Sequence, residues 1–120
     1  MAASDSILNP DVWASLRELD DDPAFLNELI DLFVDDALPR ADRVRILLAS
    51  GDCTGAQSIA HSIRGSAGNI GATEVAAIAT AIERDLEAGV TIDAATADEL
   101  YEAMQRVVNV LLQERTHPRD

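Results

Sequence analysis

Apolar residues recur along this chain at spacings of three and four, the period of one face of a helix, and strand-like alternation is absent. Asn9 followed by Pro10 reads as a cap with proline at the first helical position; Val12, Leu16 and Leu19 then follow at helical spacing and predict a short first helix. Asp20, Asp21 and Asp22 precede Pro23, which repeats the signal and puts negative charge where a helix dipole favours it. Phe25, Leu26, Leu29, Ile30 and Phe33 form a broad stripe, and the pattern resumes after Pro39 with Val44, Leu47 and Leu48. Proline inside a helix removes a hydrogen bond and crowds the preceding turn, so either a kink or two consecutive helices are expected around Pro39. The next helix is predicted from near Asp52 or Thr54 to Ile70, with Gly71 as a left-handed stop. Val75, Ile78, Ala79, Ile82 and Leu86 define a further helix from Thr73 towards Gly89. Thr91 or Asp93 then caps a last one, whose stripe is Leu100, Met104, Val107, Val108, Leu111 and Leu112. Four long amphipathic segments with short connections predict an all-α, four-helix up-and-down bundle with an additional short N-terminal helix. Residues 1–8 are expected to be a flexible N-terminus, 9–114 the bundle and 115–120 a frayed tail.

Composition agrees and narrows the class. The chain is 48% hydrophobic with only 3% aromatic residues, so Ala, Leu, Ile and Val carry the apolar mass; that favours helix and excludes disorder despite a high net charge. At 120 residues it buries about two-thirds of its extended surface, enough for one core. The formal charge is -13, and all nine basic residues are Arg. Such a surface repels nucleic acid and anionic membranes, since binding there depends on cations displacing counterions. The single Cys53 allows neither an intrachain disulfide nor a Cys-based zinc site, and it reads as a small apolar filler. Neither a signal peptide nor a run of about 18 apolar residues is present, so a cytoplasmic protein is expected.

Candidate chemistry lies on the third long segment. On a helical wheel Ala56, Ile59, Ala60, Ile63, Ala67 and Ile70 share the core face, and His61 points the other way. Around it fall Gln57 and Ser58 one turn before, Arg64 and Gly65 one turn after, and Gly68 at i+7. Each glycine costs about 1 kcal/mol against Ala inside a helix. One account is that they give a partner close access to the ring, with Arg64 placed beside a phosphoryl group on His61; the other is that they serve helix packing and Arg64 is a solvated charge. An unperturbed imidazole titrates near 6.5, so at neutral pH it keeps a free nitrogen able to attack phosphorus. His117 has no neighbour at metal-ligand spacing and reads as solvent-exposed, and the acidic runs at 20–22 and 35–36 lack the calcium-loop spacing. Trp13, Phe25, Phe33 and Met104 read as core packing. Nucleotide-binding glycine motifs are absent, so no autonomous kinase activity is expected.

The run His61-Ser62-Ile63-Arg64-Gly65-Ser66-Ala67-Gly68-Asn69-Ile70-Gly71-Ala72 resembles the histidine-containing phosphotransfer family, whose pattern is H-x-x-K-G-S-[SA]-x-x-x-G-A. Asp22 to Leu26 with Phe33, the Gly51-Asp52 turn and Ile82-Glu83 extend the resemblance over about residues 11–112. It implies a four-helix bundle that accepts a phosphoryl group from an aspartyl phosphate of a receiver domain and passes it to another receiver. In that scheme His61 is the phosphoacceptor, Arg64 takes the family's lysine position and stabilises the phosphoryl group, and Gly65 provides access. Arg64 departs from the pattern by presenting a planar fork in place of a point charge. Partners are then receiver domains of response regulators or hybrid kinases, docking on Gln57, Ser58, Arg64, Gly65 and Gly68. The domain, expected to be monomeric, would need no cofactor of its own, with Mg²⁺ on the receiver. The competing reading is a non-phosphorylated helical adaptor or inhibitor that binds a kinase or receiver.

Overall fold

The structure, a computed structural model, describes residues 7–19 and 23–115. It contains α1 (Pro10–Leu19), α2 (Pro23–Ala49), α3 (Cys53–Ile70), α4 (Thr73–Glu87) and α5 (Ala94–Glu114), and no strand among the described residues. The all-α expectation therefore holds. The long helices pack in a ring, α3 on α4, α4 on α5, α5 on α2 and α2 on α3, and α1 lies against α3.

The helix ends follow from side chains close in sequence. Asn9 Oδ1 accepts from the backbone N–H of Asp11 at 2.9 Å and starts α1. Asp52 accepts from Gly55 N–H at 2.9 Å, and Asp93 from Thr96 N–H at 2.9 Å, so aspartates cap both α3 and α5. Gly71 closes α3 at φ 79°, and its N–H returns to the carbonyls of Ala67 and Gly68. A Cβ there would also come within 3.1 Å of Val12 Cβ. Gly71 O accepts from Asn9 N–H at 2.7 Å, so the same turn seats α1 against α3.

The alternative at Pro39 resolves to one uninterrupted helix, α2, with Pro39 inside it. Pro39 is exposed, so the ring meets water and not a neighbouring helix; Ala37, Ala41 and Val44 on either side are buried and hold the helix to the bundle through tertiary packing.

The core is built from small and branched side chains. Ala41, Val44, Ala60, Ile63, Val75, Ala79, Ile82, Leu100 and Val107 are all fully enclosed, and alanines at the helix contacts let the axes approach closely. Leu8 is also buried, so the packed region begins before the boundary expected at residue 9. Trp13, Phe33 and Met104 are buried as expected. Phe25 and Leu112 are corrections: both fall on predicted apolar stripes yet stand exposed, because they lie at the stripe edges where no neighbouring helix reaches. Cys53 is a third correction, since it is exposed at the start of α3 and fills no core space. Asp20 to Asp22, the side chain of Leu19 and His117 lie outside the described residues. No described helix is long and apolar enough to cross a membrane.

Candidate functional site

Because α3 buries Ala56, Ala60, Ile63, Ala67 and Ile70, its period turns His61 outwards, and the imidazole side chain is 61% exposed. The ring nevertheless has a defined environment. Its Nδ1 lies 2.7 Å from Oε2 of Glu83 on α4, whose side chain is only 15% exposed. Ile82, next to Glu83, is fully buried against the core, which fixes the register of α4 and sets Glu83 at the rim facing α3.

Arg64, one turn along α3, completes the cluster. Its Nη2 lies 3.0 Å from His61 Nδ1, and its Nε lies 3.3 Å from Glu83 Oε1. A single ring nitrogen cannot donate to the carboxylate and accept from the guanidinium at once. The shorter contact to a charged acceptor decides the assignment: Nδ1 carries the proton and donates to Glu83. The 3.3 Å contact of Arg64 with Glu83 is an ion pair without hydrogen-bond geometry, since Glu83 Oε1 is a buried atom with no hydrogen-bond partner. Nε2 then keeps its lone pair, on a side chain that is largely exposed.

The glycines are settled by the same geometry. A Cβ on Gly65 or on Gly68 would meet nothing within 4 Å, so neither residue is required by packing inside the molecule. Their helix-propensity cost leaves the surface beside His61 open. Thr54, Gln57, Ser58, His61 and Glu83 line a shallow cleft on the α4 side of the ring. On the α2 side, Arg40 donates to Ser62 Oγ at 3.0 Å. It borders a second cleft, with Leu29, Leu32 and Phe33 from α2 and Ser66 and Asn69 from α3.

The Hpt domain family model matches residues 28–110, well over half of the chain and the whole of this cluster. The chain belongs to the Hpt domain family. Histidine phosphotransfer within a phosphorelay is the role that goes with membership, and receiver domains are the class of partner it implies. Among solved structures, this Hpt domain is similar to histidine-containing phosphotransfer protein B (HptB) from Pseudomonas aeruginosa PAO1. The two share 29% identity at a TM-score of 0.83, over 94% of this chain and 97% of that one. No match is found among curated proteins.

Of the residues singled out from the sequence, His61 and Arg64 come together in this Hpt domain, with Gln57 and Ser58 on the adjoining cleft. Gly65 and Gly68 lie on the open face beside the ring, both exposed. Glu83 enters the sequence reading only through the family resemblance, with no part in the chemistry. It is 22 residues from His61, a separation at which local periodicity carries no pairing information. The one available signal was a carboxylate directly after the core residue Ile82.

Proposed function

We propose that His61 is the phosphoacceptor, and that it takes a phosphoryl group on Nε2 from the aspartyl phosphate of one receiver domain and returns it to the aspartate of another. The observation that carries this reading is the division of the ring: Nδ1 lies 2.7 Å from Glu83, to which its proton is assigned, and the opposite nitrogen is left unengaged on a side chain that is 61% exposed. In the forward step the Nε2 lone pair attacks phosphorus in line, the P–N bond forms, and the P–O bond to the receiver breaks to release its carboxylate. The proton stays on Nδ1, so the ring becomes cationic, and the Glu83 carboxylate faces the charge as it develops. Return transfer reverses each change and leaves the ring neutral.

Arg64, at His61 Nδ1 in this structure, supplies a cation for the transferred group, and Gly65 and Gly68 keep side-chain bulk out of the receiver's approach. Gln57 and Ser58 supply polar contacts on one flank. Hpt domains carry no cofactor of their own, and in this proposal Mg²⁺ is supplied by the receiver. We place the protein in the cytoplasm as a monomer, where a small acidic domain meets receivers by diffusion.

The test is transfer from a radiolabelled, phosphorylated receiver to wild type and to His61→Gln. Acid-labile, base-stable label on the wild type alone is expected. Binding of the receiver with no label on either protein would instead establish the adaptor reading.

A further inference from the structure

Arg64 occupies an unexpected position for a residue that stabilises a phosphoryl group on Nε2. Its guanidinium lies on the other side of the ring, with Nη2 3.0 Å from Nδ1 and Nε 3.3 Å from Glu83 Oε1. With the Nδ1 proton assigned to Glu83, Nδ1 has no lone pair to offer Nη2, and charge attraction to Glu83 holds the guanidinium beside the ring. Glu83 Oε1 is buried and accepts no hydrogen bond, so Arg64 neutralises this oxygen without satisfying it.

We propose that Glu83 is a positioning residue that competes with the phosphoryl group for Arg64. In the unphosphorylated domain the guanidinium is parked on Glu83; on phosphorylation it moves to the phosphoryl oxygens, and Glu83 limits how firmly it holds them. This rests on His61 being the phosphoacceptor. The charges balance in both states. Before transfer, the Glu83 carboxylate is paired with Arg64 beside a neutral ring. Afterwards the ring is cationic through its retained Nδ1 proton and takes over the pairing with Glu83, which releases Arg64 to a phosphoryl group carrying nearly two negative charges. Arg64 is itself 42% exposed, so its pair with Glu83 is screened and weak enough to exchange. Arginine suits this better than the family's usual lysine, because its planar fork can pair with Glu83 through one nitrogen and take phosphoryl oxygens with the others. The device keeps the phosphohistidine from becoming a sink, as a carrier must give up what it accepts.

The experiment loads wild type, Glu83→Gln, Arg64→Ala and the double variant with phosphoramidate, a small donor that needs no receiver. It follows the half-life of the phosphohistidine and the Arg64 Nε–H signal by NMR. Gln at 83 keeps a carbonyl acceptor for Nδ1–H and removes only the charge, and its direct effect on the ring is read in the Arg64→Ala background. Relative to that background, Glu83→Gln should lengthen the half-life by a further two- to fivefold, roughly the worth of a half-exposed ion pair. The Arg64 Nε–H signal should shift on phosphorylation of the wild type and be displaced already in unphosphorylated Glu83→Gln. Equal effects of Glu83→Gln in the two backgrounds, with an Arg64 signal unmoved by phosphorylation, would overturn the competition while leaving His61 as the acceptor. Absence of phosphate on residue 61 by mass spectrometry in every variant would overturn both.

Discussion

Among the charge clusters that tie helices of this bundle together, two contrast, because only one of them leaves a reactive group open. At one end, Trp13 Nε1 donates to Glu114 Oε1 at 2.9 Å, Arg17 pairs with the same carboxylate while lying over the indole, and Arg115 pairs with Asp31 at 2.7 Å. These contacts link α1 and α2 to the end of α5. All of them run between groups of the fold, and the cluster holds no nucleophile. Between α3 and α4, His61, Arg64 and Glu83 are built from the same kinds of contact, yet the imidazole has two nitrogens and the fold engages only Nδ1. An ion pair is structural or chemical according to whether one member keeps a valence for a partner outside the molecule.

The comparison can be broken from either side. The largest expected effect is on the closed cluster: Trp13→Ala removes a buried indole and its hydrogen bond, and should cost about 3–5 kcal/mol in denaturant unfolding. Under conditions where the variant remains folded, its phosphoryl acceptance should match wild type. A loss of transfer greater than the loss of folded protein would show that the clusters are coupled. Gly65→Arg reverses the pattern. Its side chain enters open space, so the melting temperature should hold or rise, while acceptance from a receiver should slow by roughly tenfold or more as bulk enters the approach to Nε2. Transfer as fast as wild type would end the argument from access.

The smallest effect concerns neither cluster and calibrates both. Hydrogen bonds from the backbone and side chain of Thr96 hold the Asp93 carboxyl below its ordinary value. A depressed folded value means that the cap contributes above the unfolded carboxylate range and is lost as pH falls through the folded one. Asparagine also caps helices but does not titrate. The melting-temperature advantage of wild type over Asp93→Asn, a few degrees at most, should therefore hold from pH 7 to 5 and shrink below about pH 4. A gap constant down to pH 2 would remove Asp93 from the acid response.

Much of this was legible in the residues because the signals were local. Asp52 and Gly71 bracket α3 as their types demand, and that helix's period alone set His61 opposite Ala60 and Ile63. Pro39 was not decidable in the same way, because the local penalty of proline competes with burial of Ala37, Ala41 and Val44, which depends on where α3 and α5 lie. The reason for Gly65 and Gly68 was equally open, since sequence cannot say whether a neighbouring helix faces them. The structure finds nothing within 4 Å of either. Phe25 and Leu112, at the edges of their stripes, and Cys53, at the start of α3, are exposed for a related reason: a wheel assigns an angle around a helix and cannot say how much of that helix its neighbours cover.

Local sequence was enough for the all-α class, the span of α3 to its stop at Gly71, the outward aim of His61 and the family to which the run from His61 to Ala72 points. Each depends on residues within one or two turns of one another, where covalent geometry and helical period leave little choice. Only the tertiary structure decided that Nδ1 is the nitrogen engaged by the fold, that Glu83 engages it and that Arg64 is drawn to the same carboxylate. Those facts depend on the register of α4 against α3, which is set by packing around Ile82 and Ala79 and not by anything adjacent to His61.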